Sequence, residues 1–330
     1  MKEGLPTDRR QFMRRILGAA LTAAGAGALG LVFWDRKGPR EVEPDVRELA
    51  LPDFSSADGS GKISLAHGRD RAQTVSLALS ALDGMGSFIR PGDKVLLKVN
   101  AAFATPPALG ATTHPELVAA VTTLCLQAGA GKVMITDNPI NDPATCFELT
   151  GIGPAAREAG AGVFLPSPER FAAYTLPGGR LIRNWPVLVG PLLWADRLIG
   201  LAPVKDHHRS GASMTLKNWY GLLGGRRNIF HQQIHWIIAE LASMVKPTLV
   251  ILDGTQSMVT NGPTGGSLDD LKATHVLIAG TDPVAVDALG AGLLKKRAAE
   301  LPYLALAEKA GAGTVDYRSL KYVEVAESQP

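Results

Sequence analysis

Apolar runs of strand length alternate with segments of helical periodicity along most of this chain. The strand-length runs cover residues 94–100, 132–137, 197–204 and 248–253, and residues 114–128 carry apolar side chains at helical spacing. Strands joined by helices form βαβ units, in which helices cover both faces of the sheet. The alternation therefore predicts an α/β fold with a mostly parallel sheet and helices on both faces.

A Pro-Gly-Gly sequence interrupts this alternation. Pro177, Gly178 and Gly179 separate two β-rich runs within residues 174–189. Turn residues between strand-forming runs are typical of a hairpin. We therefore expect a β-hairpin insertion around residues 174–189.

Further helices are predicted at residues 146–159 and 229–245, and from Asp282 to Leu294. Asp282 stands directly before Pro283. This pair is typical of a helix N-cap followed by the first helical position. The capping role is the favoured interpretation of Asp282, although it also follows a predicted strand.

Two histidines in the predicted helix at 229–245 are four residues apart. His231 and His235 would share one face of that helix. Gln232 stands where the zinc-protease motif His-Glu-x-x-His has its glutamate, so the general base of that motif is missing. This excludes a zinc protease, but leaves either histidine free to serve another site.

The N-terminus resembles an export signal. Arg9, Arg10 and Phe12 precede residues 16–34, nineteen residues without a charge. This combination is similar to the twin-arginine signal. We therefore interpret residues 1–35 as an export signal, and expect the chain to contact the twin-arginine export machinery and to reach the periplasm. At about 1.5 Å per residue, an uncleaved helix of this length would nearly cross a hydrocarbon core of roughly 30 Å, so a periplasm-facing membrane anchor is the alternative.

The remaining chain divides into a polar linker and one domain. Residues 36–61 are polar and rich in Pro and Gly, and residues 62–330 carry the α/β pattern. The formal net charge of +3 comes from the N-terminus: residues 1–40 hold eight of the 34 Lys and Arg residues and three of the 31 Asp and Glu residues, a net charge of +5, which leaves −2 for the rest of the chain. The domain is therefore close to neutral, and no nucleic-acid partner is expected.

Cysteine content limits the cofactors. The chain has two cysteines, Cys125 and Cys146. Four thiolates are needed for an iron–sulfur cluster or for an all-cysteine zinc site. No iron–sulfur cluster is therefore expected, and the cofactor stays unknown, with a divalent metal among the candidates.

Polar residues gather where the predicted strands end. Asn100, Asp137 and Asp253 close three strand-length runs, and residues 205–208 follow a fourth. Ligands of open α/β sheets bind outside the carboxyl ends of the strands. As a set these residues could meet in one crevice, although for each residue alone a helix cap or a turn is the favoured interpretation.

The densest polar stretch covers residues 205–235, and it suits three kinds of chemistry. Imidazoles and a carboxylate could hold a divalent metal, for which the candidates are His207, His208 and Asp253. Acid–base catalysis could use His207, His231 and Asp137. A small anionic ligand could be bound by cations, amides and a glycine-rich loop, for which the candidates are Asn100, Lys205, Lys217, Asn218, Arg226, Arg227 and Gly265. The alternative is a loop whose charges are merely solvated.

Several short motifs together resemble the family catalogued as domain of unknown function 362. The segments are Leu97-Lys98-Val99-Asn100, His114-Pro115-Glu116, Thr136-Asp137, Lys205-Asp206-His207, Leu216-Lys217-Asn218, Phe230-His231, Asp253-Gly254 and Asp282-Pro283, in order within about residues 90–295. The positions that this sequence shares with the family coincide with the residues of the predicted crevice. Some members carry a ferredoxin-like cysteine module that is missing from this sequence, and the family is similar in architecture to nickel-dependent lactate racemase-like proteins.

Two functional hypotheses follow. The first is an exported protein whose crevice binds a metal ion, a small anion or both, with metal-assisted or acid–base chemistry on the bound molecule. The second is a non-catalytic periplasmic protein that binds a ligand or delivers a cofactor to an exported redox enzyme. The sequence does not decide between them.

Overall fold

The computed structural model describes residues 9–32, 49–55 and 61–327. The chain divides into two compact units, Met1–Arg47 and Glu48–Pro330. The described part of the first is helix α1, Arg9–Val32. Residues 1–8 of the predicted leader and most of the predicted linker at 36–61 lie outside the described residues. Within the described ranges, no helix combines the length and the hydropathy needed to cross a membrane.

The second unit is built on one large mixed sheet. Its strands, within the described residues, are β1 (Lys62–His67), β2 (Lys94–Lys98), β3 (Lys132–Thr136), β4 (Gly162–Phe164), β7 (Arg197–His207), β8 (Gly211–Ser213), β9 (Leu249–Met258), β10 (Leu271–Gly280) and β11 (Lys321–Ala326). The order is β11-β1-β10-β9-β7-β2-β3-β4, with β8 paired to β7. The run from β9 to β4 is parallel throughout, whereas β10 pairs antiparallel with both β1 and β9. This confirms the predicted α/β fold with a mostly parallel sheet.

Helices cover both faces of this sheet. They are α2 (Arg71–Ser80), α3 (Pro115–Gln127), α4 (Pro143–Leu149), α5 (Ile152–Glu158), α6 (Gly190–Trp194), α7 (Thr215–Asn218), α8 (Ile234–Met244), α9 (Pro283–Gly290) and α10 (Pro302–Lys309). Side chains alternate between the faces along each strand. Val95 and Leu97 therefore pack with α2, α3 and α5, while Leu96 belongs to the core formed with α6 to α10.

The hairpin is present as a separate two-stranded sheet. Strands β5 (Phe171–Tyr174) and β6 (Trp185–Leu188) pair antiparallel, with Phe171 opposite Leu188. The carboxylate of Glu240 in α8 accepts hydrogen bonds from the backbone N–H groups of Arg180, Leu181 and Ile182. This buried carboxylate fixes the connection between the two strands to the body of the domain.

Two predicted helices are divided in the structure. The segment 146–159 forms α4 and α5, which are separated at Gly151, whose φ of 72° ends the first helix. The segment 229–245 begins as a 3₁₀ helix, Arg227–Gln233, and becomes α-helical only at Ile234. His231 and His235 therefore lie in different elements, and the prediction that they share a helix face is wrong.

The predicted cap at Asp282 is confirmed. Asp282 caps α9, since its carboxylate accepts from the N–H groups of Val284 and Ala285. Cys125 and Cys146 are buried free thiols, and burial raises the pKa of Cys125 to about 12. Sequence periodicity does not identify β1, α2, α10 and β11, which complete the sheet edge and its helical cover.

Candidate functional site

A cavity of about 670 Å³ opens at the carboxyl ends of β2, β3 and β7. Asn100 follows β2, Asp137 follows β3, and Lys205 and His207 end β7, so parallel strands bring these side chains to one edge of the sheet. Helix α7 and the residues after it close the other side with Lys217, Asn218, Tyr220, Arg227 and His231. The structure thus brings together most of the residues that the sequence singles out.

A buried ion pair forms the floor of this cavity. Lys98 Nζ lies 2.8 Å from Asp137 Oδ1, and both side chains are shielded from solvent. The same nitrogen donates to the Val99 carbonyl at 2.7 Å and to Asn218 Oδ1 at 3.0 Å. An ammonium group has three protons to donate, and each has an acceptor here. Burial lowers the pKa of Lys98, and the Asp137 carboxylate opposes that effect.

Both oxygens of the Asp137 carboxylate also accept hydrogen bonds. Besides Lys98, it accepts from the Asn138 N–H at 2.9 Å and from the Ala101 N–H at 2.7 Å. Asn218 Nδ2 donates to the carbonyl groups of Lys98 and Leu201 at 3.1 and 3.0 Å. The floor is therefore a closed network in which Asp137 has a structural partner for each oxygen.

Gly221 closes over this network. A Cβ atom at this position would overlap Asp137 Oδ1 and come within 2.9 Å of Lys98 Nζ. The glycine carbonyl also accepts from the Asn138 N–H at 3.0 Å. The backbone at Gly221 thus approaches the ion pair more closely than any residue with a side chain could.

Three cations line the cavity. Burial and the neighbouring Lys217 lower the pKa of Lys205 to about 7, and the Asp137 carboxylate opposes this effect. The pKa of Lys217 is lowered to about 8, first by burial and then by Arg227. Lys205 donates to the Ala111 carbonyl at 2.5 Å. Among the described residues, neither lysine has a carboxylate within ion-pair distance.

Arg227 is held by backbone oxygens. Its guanidinium donates to the carbonyls of Leu223, Asn138 and Pro139 at 2.7 to 3.0 Å, and Tyr220 Oη donates to the Arg227 carbonyl. Carbonyl dipoles solvate a guanidinium without cancelling its charge. The cavity therefore carries an excess of positive charge, because its described lining holds Lys205, Lys217 and Arg227 but one carboxylate, Asp137, which is paired with Lys98.

The two cavity histidines have opposite tautomers. His207 Nδ1 accepts from the N–H groups of Arg209 and Ser210, so the proton of the neutral ring is on Nε2. His231 Nδ1 faces the Asn228 carbonyl at 3.1 Å, so that nitrogen carries the proton and Nε2 keeps its lone pair. The rings are nearly parallel, with centroids 6.3 Å apart. Burial lowers the pKa of both, that of His207 to about 2.

Four predicted site residues lie outside the cavity lining. Asp253 is inside β9 rather than at its end, because that strand continues to Met258, and its carboxylate pairs with Arg71 at 2.9 Å. His208 and Arg226 are exposed side chains beside their lining neighbours His207 and Arg227. Gly265 lies against Met258 and Asp270.

The histidines and carboxylates do not converge on one point. In the described part of the chain, no three His, Cys, Asp or Glu side chains come together as metal ligands would. His207 and His208 stack with their centroids 5.0 Å apart, but Asp253 is engaged elsewhere. The cavity chemistry is thus dominated by cations and neutral imidazoles.

Sequence reasoning missed several cavity residues. Lys98, which lies in the floor beneath the lining, interrupts the apolar part of the run 94–100, and this break in the pattern was the available signal. Tyr220 and Asn138 sit beside predicted site residues. Phe103 and Phe171 line the cavity from distant segments, and no local motif marks them.

We expect Gly221→Ala to destabilise the protein by about 1–3 kcal/mol or more, because the added methyl group displaces the buried ion pair. Gly292→Ala is the matched control, since a Cβ there meets nothing within 4 Å. Urea denaturation measures both. Equal free energies of unfolding for the two variants would contradict the close approach of Gly221 to the floor.

Comparison with known proteins gives a family and a homologue. The family model described as domain of unknown function (DUF362) matches residues 95–292. The thylakoid-associated protein sll1697 of Synechocystis sp. is 31% identical over 251 residues, which cover 71% of this chain and 73% of that protein.

Two solved structures show weaker similarity. One is a crystal structure of a Thermotoga maritima protein, with TM-score 0.33 and 15% identity, matched over 56% of this chain and 51% of that one. The other is the lactate racemase apoprotein from Thermoanaerobacterium thermosaccharolyticum, with TM-score 0.32 and 14% identity, matched over 62% and 52%. The chain spans about half the length of each.

Proposed function

This chain belongs to the DUF362 family, and for it we propose a function that rests on the cavity itself: binding of a small anion beside two neutral imidazoles, of which His231 can accept a proton from the bound molecule. The observation that carries the proposal is the excess of positive charge in the cavity lining, where Lys205, Lys217 and Arg227 face one carboxylate, Asp137, that is already paired with Lys98. Buried cations are costly unless they are paired. A bound carboxylate or phosphate supplies the missing charge, and charge-assisted hydrogen bonds hold it.

The histidines give the bound anion two different neighbours. His207 presents an Nε2–H donor, and His231 presents an Nε2 lone pair, as their Nδ1 partners require. Both rings are neutral near pH 7 because burial and the nearby lysines lower their pKa values. His231 can therefore act as a general base, whereas His207 serves as a hydrogen-bond donor that orients the bound molecule. Asp137 is assigned to the floor, not to proton transfer.

The direct test is anion binding by calorimetry, with sulfate as the probe near pH 6.5. We expect Lys217→Met to weaken sulfate binding roughly 10- to 100-fold, the usual value of a hydrogen bond to a charged group. Lys272→Met removes an exposed lysine of β10 and should leave the affinity unchanged. Equal affinities of these two variants, or no binding to the wild type, would overturn the proposal.

The lowered lysine pKa values also predict a pH dependence. Sulfate keeps its charge near neutrality, whereas Lys205 and Lys217 lose their protons as the pH rises through about 7 and 8. The association constant should therefore be greatest below about pH 7 and fall at least ~10-fold by about pH 9.

Without the anion, the free energy of unfolding should rise with pH over the interval in which the association constant falls. Because both lysines have a higher pKa when unfolded, the unfolded chain binds more protons above about pH 7, and their contribution makes the free energy of unfolding rise with pH there. Thermal denaturation without sulfate checks this, and a stability that falls over the same interval would contradict it.

We also propose that the chain is exported, with or without retention of its leader in the membrane. Support comes from the arginine pair and the uncharged run of residues 16–34. Arg9→Lys with Arg10→Lys should abolish export while leaving the charge unchanged. Cell fractionation measures this, and Arg14→Lys with Arg15→Lys is the matched control. Export that is equal for both double variants would argue against the twin-arginine route.

A further inference from the structure

The cavity is much larger than a simple anion needs. Its volume is about 670 Å³, whereas one water molecule takes up about 30 Å³ of liquid. Pockets of roughly 300–1,000 Å³ generally enclose ligands of drug size. A sulfate or acetate ion would contact the cations and leave most of this volume to solvent.

The walls of the cavity beside the three cations are apolar. One wall comes from the segment that contains the hairpin, through Pro168, Phe171 and Pro186. The facing wall comes from the connections after β2 and β3, through Phe103 and Ile140. Apolar walls with a few convergent polar groups are typical of sites for organic molecules.

Burial orders these two parts of the cavity. Lys205 and His207 are 1% and 2% exposed, whereas Ile140 is 66% exposed. Lys217, Phe103 and Phe171 are half-buried. Lys205 therefore lies at depth and Ile140 at the opening, so a bound molecule would enter with its anionic group first.

The apolar wall is fixed in place before any ligand binds. Phe171 packs on Gly224, where a Cβ would come within 2.9 Å of its ring. The connection of the hairpin is held by Glu240 through three backbone N–H groups. Phe103 is 5.5 Å from Lys205 Nζ, a cation–π distance. A preorganised wall adds to affinity, since little ordering is needed on binding.

We propose that the ligand of this site is an organic anion: a carboxylate or phosphate ester whose charged group binds Lys205 and Lys217, and whose apolar body packs between Phe103, Ile140 and Phe171. This inference rests on the proposed anion-binding function and names its ligand class. The hairpin insertion then serves as the specificity element of the fold.

The test compares matched pairs of probes by calorimetry near pH 6.5. Naphthaleneacetate is compared with acetate, and naphthyl phosphate is compared with inorganic phosphate. Naphthol serves as the neutral analogue. We expect each aromatic anion to bind at least ~10-fold more tightly than its parent anion, and naphthol to bind at least ~10-fold more weakly than either aromatic anion. Preference for one aromatic anion over the other distinguishes a carboxylate from a phosphate ester.

Variants distinguish the proposed ligand class from the proposed anion binding. Ile140→Ser should weaken binding of the aromatic anions at least ~3-fold and leave the parent anions unchanged. Leu268→Ser is the matched control, because Leu268 is 65% exposed and lies outside the cavity lining. Phe171→Ala should act like Ile140→Ser, with circular dichroism to confirm folding.

Each remaining outcome is decisive. Equal affinities for aromatic and parent anions would overturn the ligand class and leave anion binding standing. Absence of binding by every anion to the folded protein would overturn the proposed function itself. Naphthol binding that equals the aromatic anions and ignores Lys217→Met would show a purely apolar pocket and overturn both.

Discussion

The buried ion pair between Lys98 and Asp137 is the constraint on which the rest of the site depends. Removing two charges from water costs several kcal/mol per ion, and only a complete set of partners offsets that cost. Here the three protons of Lys98 have three acceptors, and the Asp137 carboxylate accepts from Lys98 and two backbone N–H groups. Asn218 joins this pair to β7 through the Leu201 carbonyl, and Gly221 gives the backbone room to cover it. The ends of three parallel strands are thus locked in one arrangement.

Neutralising Asp137 determines the electrostatics above it. Since that carboxylate is paired with Lys98, Lys205 and Lys217 face the cavity with no carboxylate of the described lining within ion-pair distance. The pKa values of both lysines are lowered because burial disfavours their charged forms. The hairpin and the connections after β2 and β3 add apolar walls around the same volume. A charged depth beneath an apolar opening matches an amphiphilic anion better than an inorganic one, because each part of such a molecule meets a surface of its own kind.

The sequence was most informative where parallel strands end. Asn100, Asp137 and Lys205 were predicted to meet because the carboxyl ends of such strands share one edge, and they line one cavity. Asp253 followed the same rule and is not in the lining, because β9 continues past it to pair with β10, a partner that local periodicity cannot reveal. His231 and His235 do not share a helix face, because the chain between them changes from 3₁₀ to α geometry at Ile234.

By itself, the sequence determined the α/β class, the parallel strands, the hairpin and the concentration of cations and histidines near their ends. These follow from local periodicity, turn residues and the geometry of βαβ units. Only the tertiary structure decided which charges are free. Lys98 and Lys205 are both lysines of apolar strands, yet one is neutralised by Asp137 and the other faces the cavity. That difference depends on distances of a few ångströms between residues far apart in the chain, and no local pattern encodes them.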